Sequence, residues 1–247
     1  IVITGGRGFV GEALTKKFIN SEHTIHTIGR SSHFTKSDLP ANCQHHCCDL
    51  ANDPIPEDIF RGADLIFHIA AKAGVWGKYT DFYSSNVTAT RNILSACKKY
   101  RINKLIYTST PSVVFSGQPI VNGSESLPYG NSGLSAYAET KTIAEREILE
   151  ANESQKLQTI ALRPHLIWGE GDPHLLPRVI NRHKKGRLRI VGEGRNTVDL
   201  THVDNVVHAH ICAMESMVNN TSLGGKAYFI GQDEPVNLWD WLNKIFM

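Results

Sequence analysis

The first eleven residues, IVITGGRGFVG, limit what this chain can fold into more than any other stretch does. Ile1, Val2, Ile3 and Thr4 read as a buried strand. Gly5, Gly8 and Gly11 then fall at the spacing G-x-x-G-x-x-G, and Glu12 to Ile19 reads as a helix. That order suits a pyrophosphate. Gly5 permits the tight turn, Gly8 lets the backbone approach the phosphates, Gly11 lets helix pack on strand, and the N–H groups at the helix N-terminus face the anion.

The repeat that follows extends this start into a fold class. Strands are predicted at Ile1 to Thr4, Thr24 to Ile28, Cys43 to Cys48, Leu65 to Ile69, Leu105 to Thr108 and Thr159 to Leu162. Helical patterns lie between most of them, notably Phe82 to Tyr100 and Tyr137 to Asn152, so the expectation is an α/β fold of Rossmann type, with a doubly wound parallel sheet. Past the sixth strand, Pro164, Gly169, Gly171, Pro173 and Pro177 interrupt the pattern until Val203 to Met217, which reads as a helix. The regular repeat marks residues 1–163 as a dinucleotide-binding domain, followed by a less regular segment over 164–247. The chain starts inside its first strand and ends within a helical pattern, which reads as an excised or truncated piece.

Composition narrows the partner. Lys and Arg number 26 against 24 Asp and Glu, a net charge of +2, which supplies neither a nucleic-acid footprint nor a basic membrane patch. No apolar run approaches the roughly 18 residues needed to cross a bilayer. A small-molecule substrate and a cytoplasmic location are the expectations. The five cysteines are odd in number, and Cys43, Cys47 and Cys48 crowd together, which suits reduced thiols better than a disulfide framework. The run Cys43-Gln44-His45-His46-Cys47-Cys48 invites a metal reading, but on a strand these side chains alternate faces, and no metal is assigned.

The end of the second strand selects between nicotinamide cofactors, because an acid there bonds the ribose 2′-OH whereas an Arg accommodates a 2′-phosphate. Gly29 stands where the acid would be, Arg30 follows it, and Arg7 precedes the second glycine of the loop. Two guanidinium groups at that end favour NADP(H) over NAD(H).

The chemistry centres on a tyrosine. Tyr137 and Lys141 are i and i+4 on the predicted helix and share a face, and an ammonium beside a phenol favours the phenolate. The pair can therefore exchange a proton near neutral pH. A hydroxyl at the end of the fifth strand, Thr110 or Ser109, can polarise the same carbonyl oxygen.

Together TGGRGFVG at Thr4 to Gly11, Asp49-Leu50, His68-Ile69-Ala70-Ala71, Asn86-Val87, Tyr107-Thr108-Ser109-Thr110, Tyr137-x-x-x-Lys141 and Leu162-Arg163-Pro164 resemble the extended short-chain dehydrogenase/reductase superfamily, in its 3β-hydroxysteroid dehydrogenase-like branch. Within it, AAKAGVWGKY, YTSTPSVVF and ALRPHLIWGEGDPHLLPR are similar to the bacterial 2-alkyl-3-oxoalkanoate reductases. The resemblance implies an NAD(P)-dependent oxidoreductase, a homodimer, and a small substrate-binding lobe over 164–247 interleaved with the last strands of the sheet. It implies a cofactor set of Gly5, Arg7, Gly8, Phe9, Val10, Gly11, Arg30, Asp49, Leu50, Ala70, Ala71, Asn86, Tyr137, Lys141 and Pro164, with Asp49 at the adenine and Asn86 supporting the relay. Catalysis falls to Thr110, Tyr137 and Lys141; many relatives have Ser where Thr110 stands, and Ser109 or Ser112 are alternatives. Lys72, Trp76, His165, Trp168, His174 and Arg178 are candidates for substrate contact.

The reaction expected is NADPH-dependent reduction of a long-chain 2-alkyl-3-oxo acid to the 3-hydroxy acid, with Tyr137 as general acid. A 3β-hydroxysteroid or sterol-4-carboxylate 3-dehydrogenase is the nearest alternative, since a sterol 4-carboxylate with a 3-hydroxyl is itself a 2-alkyl-3-hydroxy acid. A nucleotide-sugar epimerase would need diphosphate-binding residues that the substrate region does not display. A non-catalytic NADP-sensing regulator would characteristically lack the Tyr and Lys.

Overall fold

In the computed structural model, the residues described are 1–31, 41–130, 133–153, 155–173, 175–190, 192–219, 223–232 and 234–246. His174 lies outside them. The central sheet has seven parallel strands: β1 (Val2–Thr4), β2 (Ile25–Gly29), β3 (Cys43–Cys47), β4 (Ile66–His68), β5 (Lys104–Thr108), β6 (Gln158–Pro164) and, from much later in the chain, β10 (Lys226–Ile230). Their spatial order is β10-β6-β5-β4-β1-β2-β3. The chain reverses direction between β1 and β4, and the crevice outside the carboxyl ends of strands at such a switch point is where ligands bind in open α/β sheets.

Alternation along the strands builds two cores. Val2, Ile66, Leu105, Tyr107 and Ala161 face one side, where α2 (Glu57–Phe60), α4 (Ala89–Tyr100) and α5 (Ala136–Glu150) bury Phe60, Ile93, Ala144 and Ile148. Ile3, Phe67, Ile106, Ile160 and Leu162 face the other, against Leu14 of α1 (Phe9–Lys17) and Val207, Ala213 and Met217 of α7 (Val203–Asn219). Every residue of β6 is buried, because β5 and β10 flank it and helices cover both faces.

The rest of the C-terminal part is made of short pieces. β7 (Ile167–Trp168) pairs with β9 (Thr201–His202), and β8 (Thr197–Val198) pairs with β11 (Val236–Asn237). Two more helices, α6 (Leu176–Lys184) and α8 (Leu238–Phe246), complete it.

Three sequence expectations need adjustment. The later strand expected within 164–247 had no assigned position: Lys226–Ile230 is short and joins the sheet through pairing with β6. The predicted helix from Phe82 to Tyr100 begins earlier, as α3 (Tyr79–Tyr83), and passes through a π-helical turn at Ser84–Thr88 before α4. Such turns widen the ladder by one residue and re-aim side chains, here turning Asn86 into the protein. The sixth strand also runs on to Pro164, past the predicted end at Leu162. Of the Cys43 to Cys48 run, Cys43–Cys47 is β3, with Cys43 buried and Cys47 exposed. None of the described helices is long and apolar enough to cross a membrane.

Candidate active site

A cleft of about 710 Å³ opens along the carboxyl ends of the central strands. The glycine-rich loop forms its floor. Gly5 has φ +69°, and a Cβ there would stand 2.8 Å from the backbone nitrogen of Ala70, so only glycine lets the loop lie against the segment after β4. A Cβ on Gly11 would fall on the Gly5 carbonyl, which sets how closely α1 packs against its own loop. Gly8 caps α1 without any side-chain cap, and Phe9 and Val10 of the first helical turn line the cleft. This is a cradle of backbone N–H groups at a helix start, shaped for the phosphates of a dinucleotide.

At one end of the cleft stand Arg7, Arg30, Asp49 and Leu50. Gly29 faces this end with room to spare: a Cβ there would lie 3.5 Å from His45 Cε1 and 4.0 Å from Arg7 Cγ. The Asp49 carboxylate accepts from Ala51 N–H at 3.0 Å and from Asn52 Nδ2 at 3.1 Å, which holds the turn after β3 in place.

At the other end, β5 delivers Ser109 and Thr110, α5 delivers Tyr137 and Lys141, and the end of β6 delivers Pro164 and His165. Strand register brings them together. Thr108 pairs with Leu162, and Ser109 N–H donates to the Leu162 carbonyl at 2.6 Å, so the chains leaving β5 and β6 run side by side. The Thr110 hydroxyl accepts from Ser112 N–H and donates to Ser112 Oγ at 3.2 Å, capping a short 3₁₀ turn at Pro111–Val114. Ser109 Oγ is buried with no hydrogen-bond partner among the described residues. Ser135 caps α5 by accepting from Ala138 N–H at 3.1 Å, which fixes the first turn that carries Tyr137.

Burial sets the titration of this end. It pushes the Tyr137 phenol above its ordinary value, while the neighbouring Thr110 hydroxyl pulls it back. Lys141 is fully enclosed: Nζ donates to the Thr108 carbonyl at 2.6 Å and lies 4.0 Å from the centroid of the Tyr107 ring. Burial lowers its ammonium to about 7, against a smaller upward pull from Glu145.

A buried polar chain, of which sequence reasoning named Asn86 but not the roles of Thr4, His68 and Thr90, supports both ends. Thr90 gives its single proton to the Asn86 carbonyl at 2.6 Å, so it must accept from His68 Nε2 at 2.8 Å. His68 Nδ1 then accepts from Thr4, whose oxygen takes the N–H groups of Ile69 and Ala70 at 3.1 Å each. The Asn86 side chain clamps both backbone groups of Lys72 and donates to Thr140, the neighbour of Lys141. Asn86 thus stands behind the cleft wall rather than on it, as does Gly11. His68 leaves a usable signal, since a His at a strand end in an otherwise apolar run must find partners when buried. Asp172 was also missed; it lines the cleft and accepts from the N–H groups of Leu175 and Leu176 at the start of α6.

Of the candidates for substrate contact, His165 lines the cleft, next to Leu166 with its left-handed φ of +39°. The other described candidates stand outside its lining. Lys72 pairs with Asp81 at 3.0 Å, Trp76 is 83% exposed, Trp168 packs edge-on against His202 and Trp241, and Arg178 is exposed on α6. A lone aromatic or cation in a loop gives no sign of which way the fold turns it.

Known proteins resemble this chain in sequence and fold. The 2-alkyl-3-oxoalkanoate reductase of Shewanella oneidensis is 40% identical over 250 residues, covering 98% of this chain and 64% of the relative. A mouse sterol-4-alpha-carboxylate 3-dehydrogenase, decarboxylating, is 37% identical over 245 residues, covering 98% of this chain and 67% of its own. This chain therefore spans about two thirds of the length of these relatives. Among solved structures, a UDP-glucuronic acid 4-epimerase from Bacillus cereus in complex with NAD superposes with a TM-score of 0.86 at 25% identity, over 99% of this chain and 81% of that one. Residues 2–247 match a single family along their whole length. The chain belongs to the 3-beta hydroxysteroid dehydrogenase/isomerase family, NAD(P)-dependent oxidoreductases of the extended short-chain dehydrogenase/reductase type.

Proposed function

We propose that this chain is the catalytic body of an NADPH-dependent reductase that converts a long-chain 2-alkyl-3-oxo acid into the 3-hydroxy acid. The observation that carries the reading is the convergence of Thr110, Tyr137 and Lys141 in the same cleft as the glycine-rich cradle. The similarity to the Shewanella reductase supports the substrate class. Residues 1–163 would hold the cofactor, and 164–247 would hold the substrate while also giving β10 back to the sheet.

The reduced nicotinamide, when bound, supplies the hydride. Tyr137 is kept protonated by its burial, so it can give its proton to the carbonyl oxygen as negative charge develops there. Thr110, whose hydroxyl now donates to Ser112, can redirect that proton to the same oxygen. Lys141, on the same helix that carries Tyr137, holds the end of β5 through Thr108. Gly5, Gly8 and the start of α1 would hold the pyrophosphate, and Arg7 and Arg30 a 2′-phosphate.

A sterol-4-carboxylate 3-dehydrogenase is the second reading, supported by the 37% identity to the mouse enzyme of that name. The deciding experiment follows NADPH consumption by the full chain with 2-alkyl-3-oxo acids, NADP⁺ reduction with sterol 4-carboxylates, and conversion of UDP-sugars to their epimers. Turnover confined to the sterols, or to UDP-sugars, would reject the reductase reading. We also propose a homodimer formed through α4 and α5, which lie side by side and are bridged by Arg91 and Glu147 at 2.6 Å.

A further inference from the structure

The substrate proposed above carries a carboxylate on the carbon next to its ketone, and a site built for it should present a cation near the reacting oxygen. Around Thr110 and Tyr137 the residues lining the cleft include two side chains able to carry positive charge, Lys141 and His165. Arg7 and Arg30 belong to the opposite end, on the glycine-rich loop and after β2.

Lys141 is committed to the Thr108 carbonyl and the face of Tyr107. His165 is differently placed. It follows the last residue of β6, and the pairing of Thr108 with Leu162 sets it beside the chain that carries Ser109 and Thr110. Thr201 N–H donates to its carbonyl at 3.2 Å, which fixes its backbone. Its imidazole donates to the Asp199 carbonyl, and among the described residues nothing else bonds the ring, so one ring nitrogen is left for the cleft. Leu166, Ile167 and Leu175 line the cleft next to it, an apolar wall suited to an alkyl chain.

We infer that His165, as the imidazolium, recognises the substrate carboxylate, so that the site takes 3-oxo and 3-hydroxy acids in preference to their esters. This inference rests on the 3-oxo acid reading above. Asp199, from the link between β8 and β9, acts on His165, while Asp172, which precedes α6, and Tyr137 and Lys141 of α5 line the same cleft. Burial holds the imidazole below its ordinary value of 6.5, with Asp199 pulling it back up. In the free protein at neutral pH the ring is therefore mostly neutral, and an arriving carboxylate raises its affinity for a proton. Substrate binding takes up a proton, and acid binds less tightly as the pH rises, by up to tenfold per unit.

The test uses the full chain with NADP⁺ and 2-butyl-3-hydroxyoctanoic acid or its methyl ester. For the wild type, KM for the acid should climb between pH 6 and 8 while KM for the ester stays level. Calorimetry of acid binding in two buffers of different ionisation enthalpy should show proton uptake. His165→Gln keeps a donor for the Asp199 carbonyl but carries no charge. It should raise KM for the acid at least tenfold, change kcat less than threefold, and leave KM for the ester and NADPH affinity within twofold. Equal KM changes for acid and ester, or a wild-type pH profile identical for the two, would overturn the inference while leaving the reductase reading intact. If neither compound is oxidised but sterol 4-carboxylates are, or UDP-sugars are epimerised, the reductase reading falls and this inference with it.

Discussion

The Lys141 ammonium donates to the Thr108 carbonyl at 2.6 Å, so the helix that carries Tyr137 is fastened to the last residue of β5. This bond joins the two elements that supply the proton donor and the polarising hydroxyl, and it lies wholly inside the protein. Its consequence is positional as much as electrostatic, because the lysine reaches away from bulk water toward a backbone oxygen and the Tyr107 ring.

The mechanism predicts distinct outcomes at three positions. Tyr137→Phe removes only a hydroxyl, so NADPH affinity should survive while turnover falls by about 10²- to 10⁴-fold. Thr110→Val should lower turnover with little effect on folding, and Thr110→Ser should be tolerated. Lys141→Met should impair both turnover and cofactor affinity. Single-turnover oxidation of NADPH at saturating substrate, with separate cofactor titrations, distinguishes these patterns; near-wild-type rates in Tyr137→Phe would move the proton donor elsewhere.

Cofactor choice should follow from Arg7, Arg30 and the open position at Gly29. NADPH should bind at least tenfold tighter than NADH, about 1.4 kcal/mol. Arg30→Ala should weaken NADPH binding and leave NADH binding nearly unchanged. A Cβ at Gly29 would make only ordinary contacts, so Gly29→Asp should fold and shift the preference toward NADH. Equal dissociation constants for the two cofactors in the wild type, measured by calorimetry, would reject the assignment.

Stability should fall on acidification because two buried histidines are held neutral. Burial lowers His68 to about 3 and His210 to about 4. His210 Nδ1 donates to the Val206 carbonyl at 2.7 Å, which leaves Nε2 to accept from Thr108 at 2.8 Å. The unfolded chain binds protons at these rings near 6.5, where the folded chain does not. Between that pH and each lowered value stability is lost as the pH falls, at up to roughly 1.4 kcal/mol per unit per group. Urea unfolding from pH 7 to pH 4 should show this slope, and it should be shallower in His210→Gln, which keeps hydrogen-bonding capacity but cannot become cationic.

Arg163 and Glu145 form an enclosed ion pair at 2.5 Å between β6 and α5, with side-chain exposures of 4% and 0%. Glu145→Ala should cost roughly 3–5 kcal/mol, because it strands a buried guanidinium. The double replacement Arg163→Met with Glu145→Leu should cost much less, since neither charge is then left alone. Denaturant midpoints of the two variants give the comparison directly.

Assembly has its own test. If α4 and α5 dock on their copies, light scattering at micromolar concentration should give twice the chain mass. Reversing charge on the exposed helix face with Arg91→Glu should shift the population toward monomer, while a wild type that is monomeric throughout would reject the proposal.

The local sequence determined a great deal about this protein. Six parallel strands, the turn at Gly5, the helix that places Tyr137 one turn before Lys141, and the absence of an acid at Gly29 follow from side-chain periodicity and from the needs of backbone conformation within a few residues. Pairing across the sheet decided the rest. Lys226–Ile230 becomes a strand only because β6 offers an edge, and His165 comes beside Thr110 only through the register of β5 and β6. Trp76 and Arg178 point away from the cleft for reasons no short-range pattern records. The expectation that Lys141 acidifies Tyr137 met the strongest tertiary effect: enclosure lowers the ammonium and raises the phenol together, since desolvation opposes charge on both. Spacing along a helix fixes which side chains share a face, whereas the dielectric around them is set by everything the chain folds over that face.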